Sequence, residues 1–159
     1  MRLRPSASPI VSDDGRWAAF SSVATNLVPG DANGAGDSFV RDLRRGTTHR
    51  VSVDSNGVQG NSGSNRGTLD ASGRYVVFAS FASNLVANDV NGVFDVFVHD
   101  LKRGTTIRAS AAHDGGQLNA NVFALGFANS RTLFVSSGAS NLVPGDANLS
   151  DDLFFVRWR

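Results

Sequence analysis

The chain has 159 residues, 15 basic against 14 acidic for a formal net charge of +1, and no cysteine. That balance gives no electrostatic case for nucleic acid or an anionic membrane surface, and the lack of cysteine excludes disulfides and thiolate sites. No stretch approaches the roughly 18 apolar residues of a membrane-spanning helix, so membrane insertion is not expected, and the N-terminal MRLRPSASPIVSDDGRW lacks the apolar centre of a signal peptide.

Residues 1–9 form a Pro/Ser-rich approach that predicts irregular chain. Residues 10–12 predict a short strand, stopped by Asp13, Asp14 and Gly15. Residues 16–22 predict a second, whose unbroken run Trp17, Ala18, Ala19 and Phe20 suits a strand covered on both faces. From 23 to 36, Asn, Pro, Gly and Asp recur at close intervals without a period, which predicts a long excursion between strands. Residues 38–43 predict a third strand, Arg44, Arg45 and Gly46 a turn, and residues 47–53 a fourth, with β-branched Thr47, Thr48, Val51 and Val53. After a polar, glycine-rich joint at 54–65 the order restarts, with strands expected at 68–70, 74–81, 94–101 and 105–111, then at 122–128, 132–136 and 153–158.

The restart is a repeat. NLVPGDANGAGDSFVRDL at 26–43 returns as NLVANDVNGVFDVFVHDL at 84–101, offset by 58 residues, and in altered form as NLVPGDANLSDDLFFV from Asn141, offset by 57 more. The flanks keep phase: RGTTHRVSV answers RGTTIRASA, and Gly57, Gln59 and Asn61 recur as Gly115, Gln117 and Asn119. A long period with apolar, turn and acidic positions all in register marks repeated supersecondary units that stabilise one another. The units run over 1–61, 62–119 and 120–159, the last without a fourth strand. Four short strands per unit and no helical pattern predict an all-β fold, a β-propeller-type array of two complete four-stranded blades plus a partial third, with a sandwich as the rival. Such an array leaves open sheet edges, which favour a protein partner or self-association.

The phrases SDDGRWAAFSS, DASGRYVVFAS and DVFVHDLKRGTT resemble the TolB-like propeller repeat, and NLVPGDANG resembles an insertion in a bacterial subclass of exported or surface-associated proteins. The resemblance implies a periplasmic or extracellular setting. Related propellers include protein-binding modules, components of envelope assemblies and domains of peptidases, so the resemblance implies fold more narrowly than function. Unit 3 departs from the pattern, with Asn129, Ser130 and Arg131 in place of Asp-Gly-Arg and Arg157 where Asp42 and Asp100 stand.

The sharpest polar constellation is Asp31, Asn33 and Asp37 with Gly34 between them, repeated as Asp89, Asn91 and Asp95 with Gly92, and as Asp146, Asn148 and Asp152 with Leu149 in the glycine position. Oxygen donors at the first, third and seventh positions around a tight reversal suit a hard cation such as calcium, although the closing bidentate Glu is missing. The same residues also make turns by bonding their own backbone, with no ion required. Both readings stand at this point. Asn26, Asn84 and Asn141 are expected to clamp the excursions, Leu27, Leu85 and Leu142 to insert between layers, and Arg16, Arg74 and Arg131 to pair with Asp42 and Asp100. His49, His99 and His113 hold different repeat positions and are expected at surfaces or sheet edges, and no G-x-S-x-G elbow is present, so no catalytic residues are assigned. A noncatalytic interaction scaffold leads, ahead of a propeller domain of a larger peptidase-like enzyme or a carbohydrate- or small-ligand-binding module.

Overall fold

The computed structural model describes residues 9–65, 67–148 and 150–158, and the expectations for residues 1–8 and for Leu149 lie outside them. Among the described residues, eleven strands form three antiparallel sheets, each with its strands side by side in chain order. The first holds β1 (Ile10–Val11), β2 (Trp17–Ser22), β3 (Asp37–Asp42) and β4 (Thr47–Arg50). The second holds β5 (Thr68–Leu69), β6 (Tyr75–Ser80), β7 (Asp95–Asp100) and β8 (Thr105–Arg108). The third holds β9 (Val122–Asn129), β10 (Thr132–Ser137) and β11 (Asp152–Arg157). Among the described residues no helix is long and apolar enough to cross a membrane.

The repeat is carried into register. Trp17 faces Asp42, Tyr75 faces Asp100 and Thr132 faces Arg157, one pair per sheet at the same repeat position. Successive sheets stack face to face, so the middle one is covered twice. Val76, Phe78 and Phe97 pack with Ala19 and Val40 of the first sheet, while Val77, Ala79, Val96 and Val98 pack with Leu133 and Val135 of the third. This explains why β6 and β7 are buried at every position and read as continuous apolar runs. In β2 the same expectation holds only in part: Ala18 and Ala19 are buried, but Phe20, on the face that no described sheet covers, is half-buried, as is Trp17, which packs toward the second sheet.

Backbone geometry follows the repeat through different residues. Gly30, Asn88 and Gly145 hold one repeat position, all left-handed at φ 69, 58 and 77°. Asparagine is among the few side chains that enter this region readily, which is why the motif survives the change from Pro-Gly-Asp to Ala-Asn-Asp. The strand turn of unit 3 is rebuilt instead. Asn129 pairs directly with Thr132, leaving a two-residue turn of Ser130 and Arg131, and β9 is longer than β1 or β5 and irregular in register. A cavity of about 780 Å³ is lined by residues of β1, β5 and β9 and the turns that follow them.

Candidate functional site

In units 1 and 2 the acidic excursion ends by entering a strand inside its sheet, so its last carboxylate, Asp37 or Asp95, is buried at the strand's start, whereas in unit 3 it enters the edge strand β11 and Asp152 is half-buried. In unit 1, Ser52 Oγ donates to Asp37 Oδ1 at 2.6 Å, and Gln59 Nε2 donates to Asp37 Oδ2 at 2.7 Å and to Asp31 Oδ1 at 2.9 Å. Arg50 reaches in from the end of β4, its Nη1 lying 3.6 Å from Asp37 Oδ2 and 3.8 Å from Asp31 Oδ1. Unit 2 repeats the serine and arginine contacts, with Ser110 Oγ donating to Asp95 Oδ1 at 2.7 Å and Arg108 Nη1 3.6 Å from both Asp89 Oδ1 and Asp95 Oδ2, but Gln117 Nε2 donates to Asn88 O instead of to the carboxylates. Burial, and next the neighbouring Asp95 charge, push the Asp89 carboxyl up, while Arg108 opposes them. The arginine is thus the counter-ion of two carboxylates that would otherwise repel each other.

The structure brings Asp31, Asn33 and Asp37 together, and likewise Asp89, Asn91 and Asp95, but it points the amides differently from a cation cage. Asn33 Nδ2 donates to Gly60 O at 2.9 Å, while its Oδ1 accepts from Ala35 N at 2.9 Å. Asn91 Nδ2 donates to Asp95 Oδ2 at 2.9 Å and to Leu118 O at 3.2 Å. As arranged, each loop offers two carboxylates, an inward amide nitrogen and a guanidinium, far from the six to eight oxygens that calcium takes. Among the described residues no three His, Cys, Asp or Glu side chains converge as a metal cage. In unit 3, Asn148 Nδ2 donates to Asp152 Oδ2 at 2.9 Å, and Asp146 Oδ2 is buried without a hydrogen-bond partner. Arg50 and Arg108 were not singled out by spacing, although their recurrence 58 residues apart, in phase with Gln59 and Gln117, was the available signal.

The asparagine clamps span units. Asn84 Nδ2 donates to Gln59 O at 2.9 Å while its Oδ1 accepts from Asn61 N at 2.8 Å. Asn141 does the same to Gln117 O and Asn119 N, at 2.9 and 3.1 Å. Leu85 and Leu142 insert beside them and are buried, but Leu27 is exposed. The expected ion pairs form within units 1 and 2, Arg16 to Asp42 at 2.9 Å and Arg74 to Asp100 at 2.6 Å, whereas Arg131 lies over the Tyr75 ring at 5.3 Å. His99 departs from the surface expectation: it is buried on β7, with Nδ1 2.9 Å from Thr106 Oγ1, and burial holds its pKa below the usual value. A cleft of about 600 Å³ between the first two sheets is lined by Arg16, Arg45, Arg50, Arg74 and Lys102 together with Trp17. Three of those arginines already serve the carboxylates described above.

No family model matches the chain, and no curated protein matches it. Solved structures do. A TolB candidate from Agrobacterium tumefaciens aligns with a TM-score of 0.55 at 12% identity, over 99% of this chain and 53% of that one. The β-propeller domain of the Trilobed protease from Pyrococcus furiosus gives 0.54 at 10% identity, over 96% and 40%. A candidate lipoprotein from Clostridium novyi gives 0.51 at 12% identity, over 100% and 91%. At such identities the likeness shows fold alone, and the fold is an all-β array of the propeller type. The chain spans 31, 40 and 53% of the first three solved structures it matches.

Proposed function

We propose that this chain is a noncatalytic β-propeller segment that serves as a scaffold for protein interaction in an envelope setting, periplasmic or extracellular. The observation that carries the reading is the outer face of the third sheet, where Leu153 and Phe155 stand 61 and 71% exposed. An apolar face of this kind marks an interaction surface. The polar groups best suited to chemistry serve the framework instead: Arg50 and Arg108 neutralise the acidic loops, and Arg16 and Arg74 hold Asp42 and Asp100. In the same reading arginine occupies the place in the first two loops for which calcium competes. The likeness to a candidate lipoprotein supports the envelope setting.

The experiment is a catalytic screen of the purified chain, with a fluorophosphonate probe and a panel of peptide and ester substrates. Neither labelling nor turnover is expected. Turnover that disappears in His99→Gln or His113→Gln would overturn the reading and favour a peptidase role.

A further inference from the structure

We infer that the cleft between the first and second sheets is a binding site for a dianionic phosphate group carried by a small molecule, with Arg45 and Lys102 as its main contacts. The inference goes beyond the interaction reading above and does not rest on it. The cleft lies between two complete sheets, on the other side of the second sheet from Leu153 and Phe155.

The repeat supplies its own comparison. An equivalent space lies between the second and third sheets, lined by Tyr75, Arg103, Ile107 and Trp158, at the repeat positions of Trp17, Arg45, His49 and Leu101. It holds only about 80 Å³ against about 600 Å³, with the larger, buried Trp158 in the place of Leu101. Polarity changes with size: Ile107 and Val156 stand where the first cleft has His49 and His99. Two sheets of this repeat therefore join without an open cleft and without ring nitrogens, so packing alone does not account for those of the first joint.

Charge sets the ligand. Arg16 is paired with Asp42, Arg74 with Asp100, and Arg50 with Asp31 and Asp37, whereas Arg45 and Lys102 lie within 4.0 Å of no carboxylate among the described residues. The lining is left with two uncompensated positive charges, which a phosphate group near neutral pH balances. These cations are held before any ligand arrives. Asp42 Oδ2 accepts from Arg16 Nε and Nη2 at 3.2 and 2.9 Å, while Asp42 Oδ1 accepts from the backbone N of Arg44 and Arg45 at 3.0 and 3.1 Å. One carboxylate thus fixes both Arg16 and the turn that carries Arg45, and Asp100 Oδ1 fixes the turn of Lys102, accepting from its backbone N at 2.9 Å. Arg16 also lies over the Trp17 ring at 4.8 Å, and its Nη1 has no acceptor among the described residues, which leaves it free to join the phosphate oxygens. Donors fixed in advance cost less entropy on binding.

Calorimetric titration of inorganic phosphate into the full chain tests the site, in about 0.15 M sodium chloride so that diffuse attraction is screened. One saturable site is expected at millimolar phosphate or below, with acetate, a monoanion, binding at least about tenfold more weakly. Arg45→Gln and Lys102→Gln each weaken phosphate binding roughly tenfold by removing a charge-assisted contact. Arg44→Gln, at an exposed arginine of the same turn that does not line the cleft, leaves binding within about twofold. Leu101→Trp copies the second joint, so it closes the cleft and abolishes binding with every charge kept. Arg44, Arg45 and Lys102 are all exposed, and melting curves confirm that each variant folds. No saturable heat up to about 20 mM phosphate, equal loss in Arg44→Gln, or full binding in both cleft charge variants or in Leu101→Trp would overturn the inference. The catalytic screen is unaffected by any of these results, so the two proposals fail separately.

Discussion

Trp17 of β2 fills the space into which a side chain at position 73 would project: a Cβ on Gly73 would come 2.4 Å from Trp17 Cδ1. The turn before β6 thereby docks the second sheet onto the first. Gly15 holds the same repeat position with nearly the same left-handed backbone, φ 66°, but has nothing within 4 Å of a built Cβ. Gly15→Ala should therefore show the backbone strain alone, about 1 to 2 kcal/mol. Gly73→Ala should lose about 1 to 3 kcal/mol more through the clash with Trp17. Urea unfolding of both variants checks the difference; equal losses would mean that the indole moves aside freely.

The carboxylate pair of each complete acidic loop depends on its arginine. Removing one partner of a buried ion pair leaves an uncompensated charge, so Arg50→Ala should destabilise the chain by about 3 to 5 kcal/mol. Asp31→Asn added to Arg50→Ala should restore part of the loss by removing the repulsion. A double-mutant cycle on denaturant midpoints measures the coupling, and a null result would assign Arg50 to the surface.

Acid should weaken the fold in a defined window. Arg16 donates to Asp42 through Nε and Nη2, and Arg74 grips Asp100 the same way, pushing both carboxyls from 3.8 down to about 2. Because the folded values lie below the unfolded one, the stabilisation is complete above 3.8 and is lost as the pH falls through about 2. Arg74→Gln should flatten the fall in denaturant midpoint across that window, and an unchanged slope would remove the pair from the account of acid stability.

Much of the fold was legible because the repeat reports each strand two or three times. The break at Asp13 to Gly15, the excursion and the β-branched fourth strand recur in phase, and the observed strands lie within the expected segments or within a residue or so of their ends. Less legible was what depends on a neighbouring sheet. Apolar β2 looks as enclosed as β6 in sequence, yet only β6 has sheets on both sides; Leu27 reads like Leu85 but has no described unit to enter. The acidic loops were visible as Asp and Asn in a pattern, but their counter-ion was not. Arg50 sits 13 residues after Asp37, and only the return of β4 along β3 brings the two together. His99 looked peripheral for the same reason, since its burial comes from packing outside its own strand.

Calorimetric titration of calcium into chelator-treated protein, with melting curves alongside, asks most directly whether these polar residues serve the framework or a ligand. With arginine in each of the first two loops, no saturable binding heat and an unchanged melting temperature at millimolar calcium are expected. Saturable binding that raises the melting temperature, with Asp37→Ala and Asp95→Ala each removing one site, would contradict this and make the loops calcium sites.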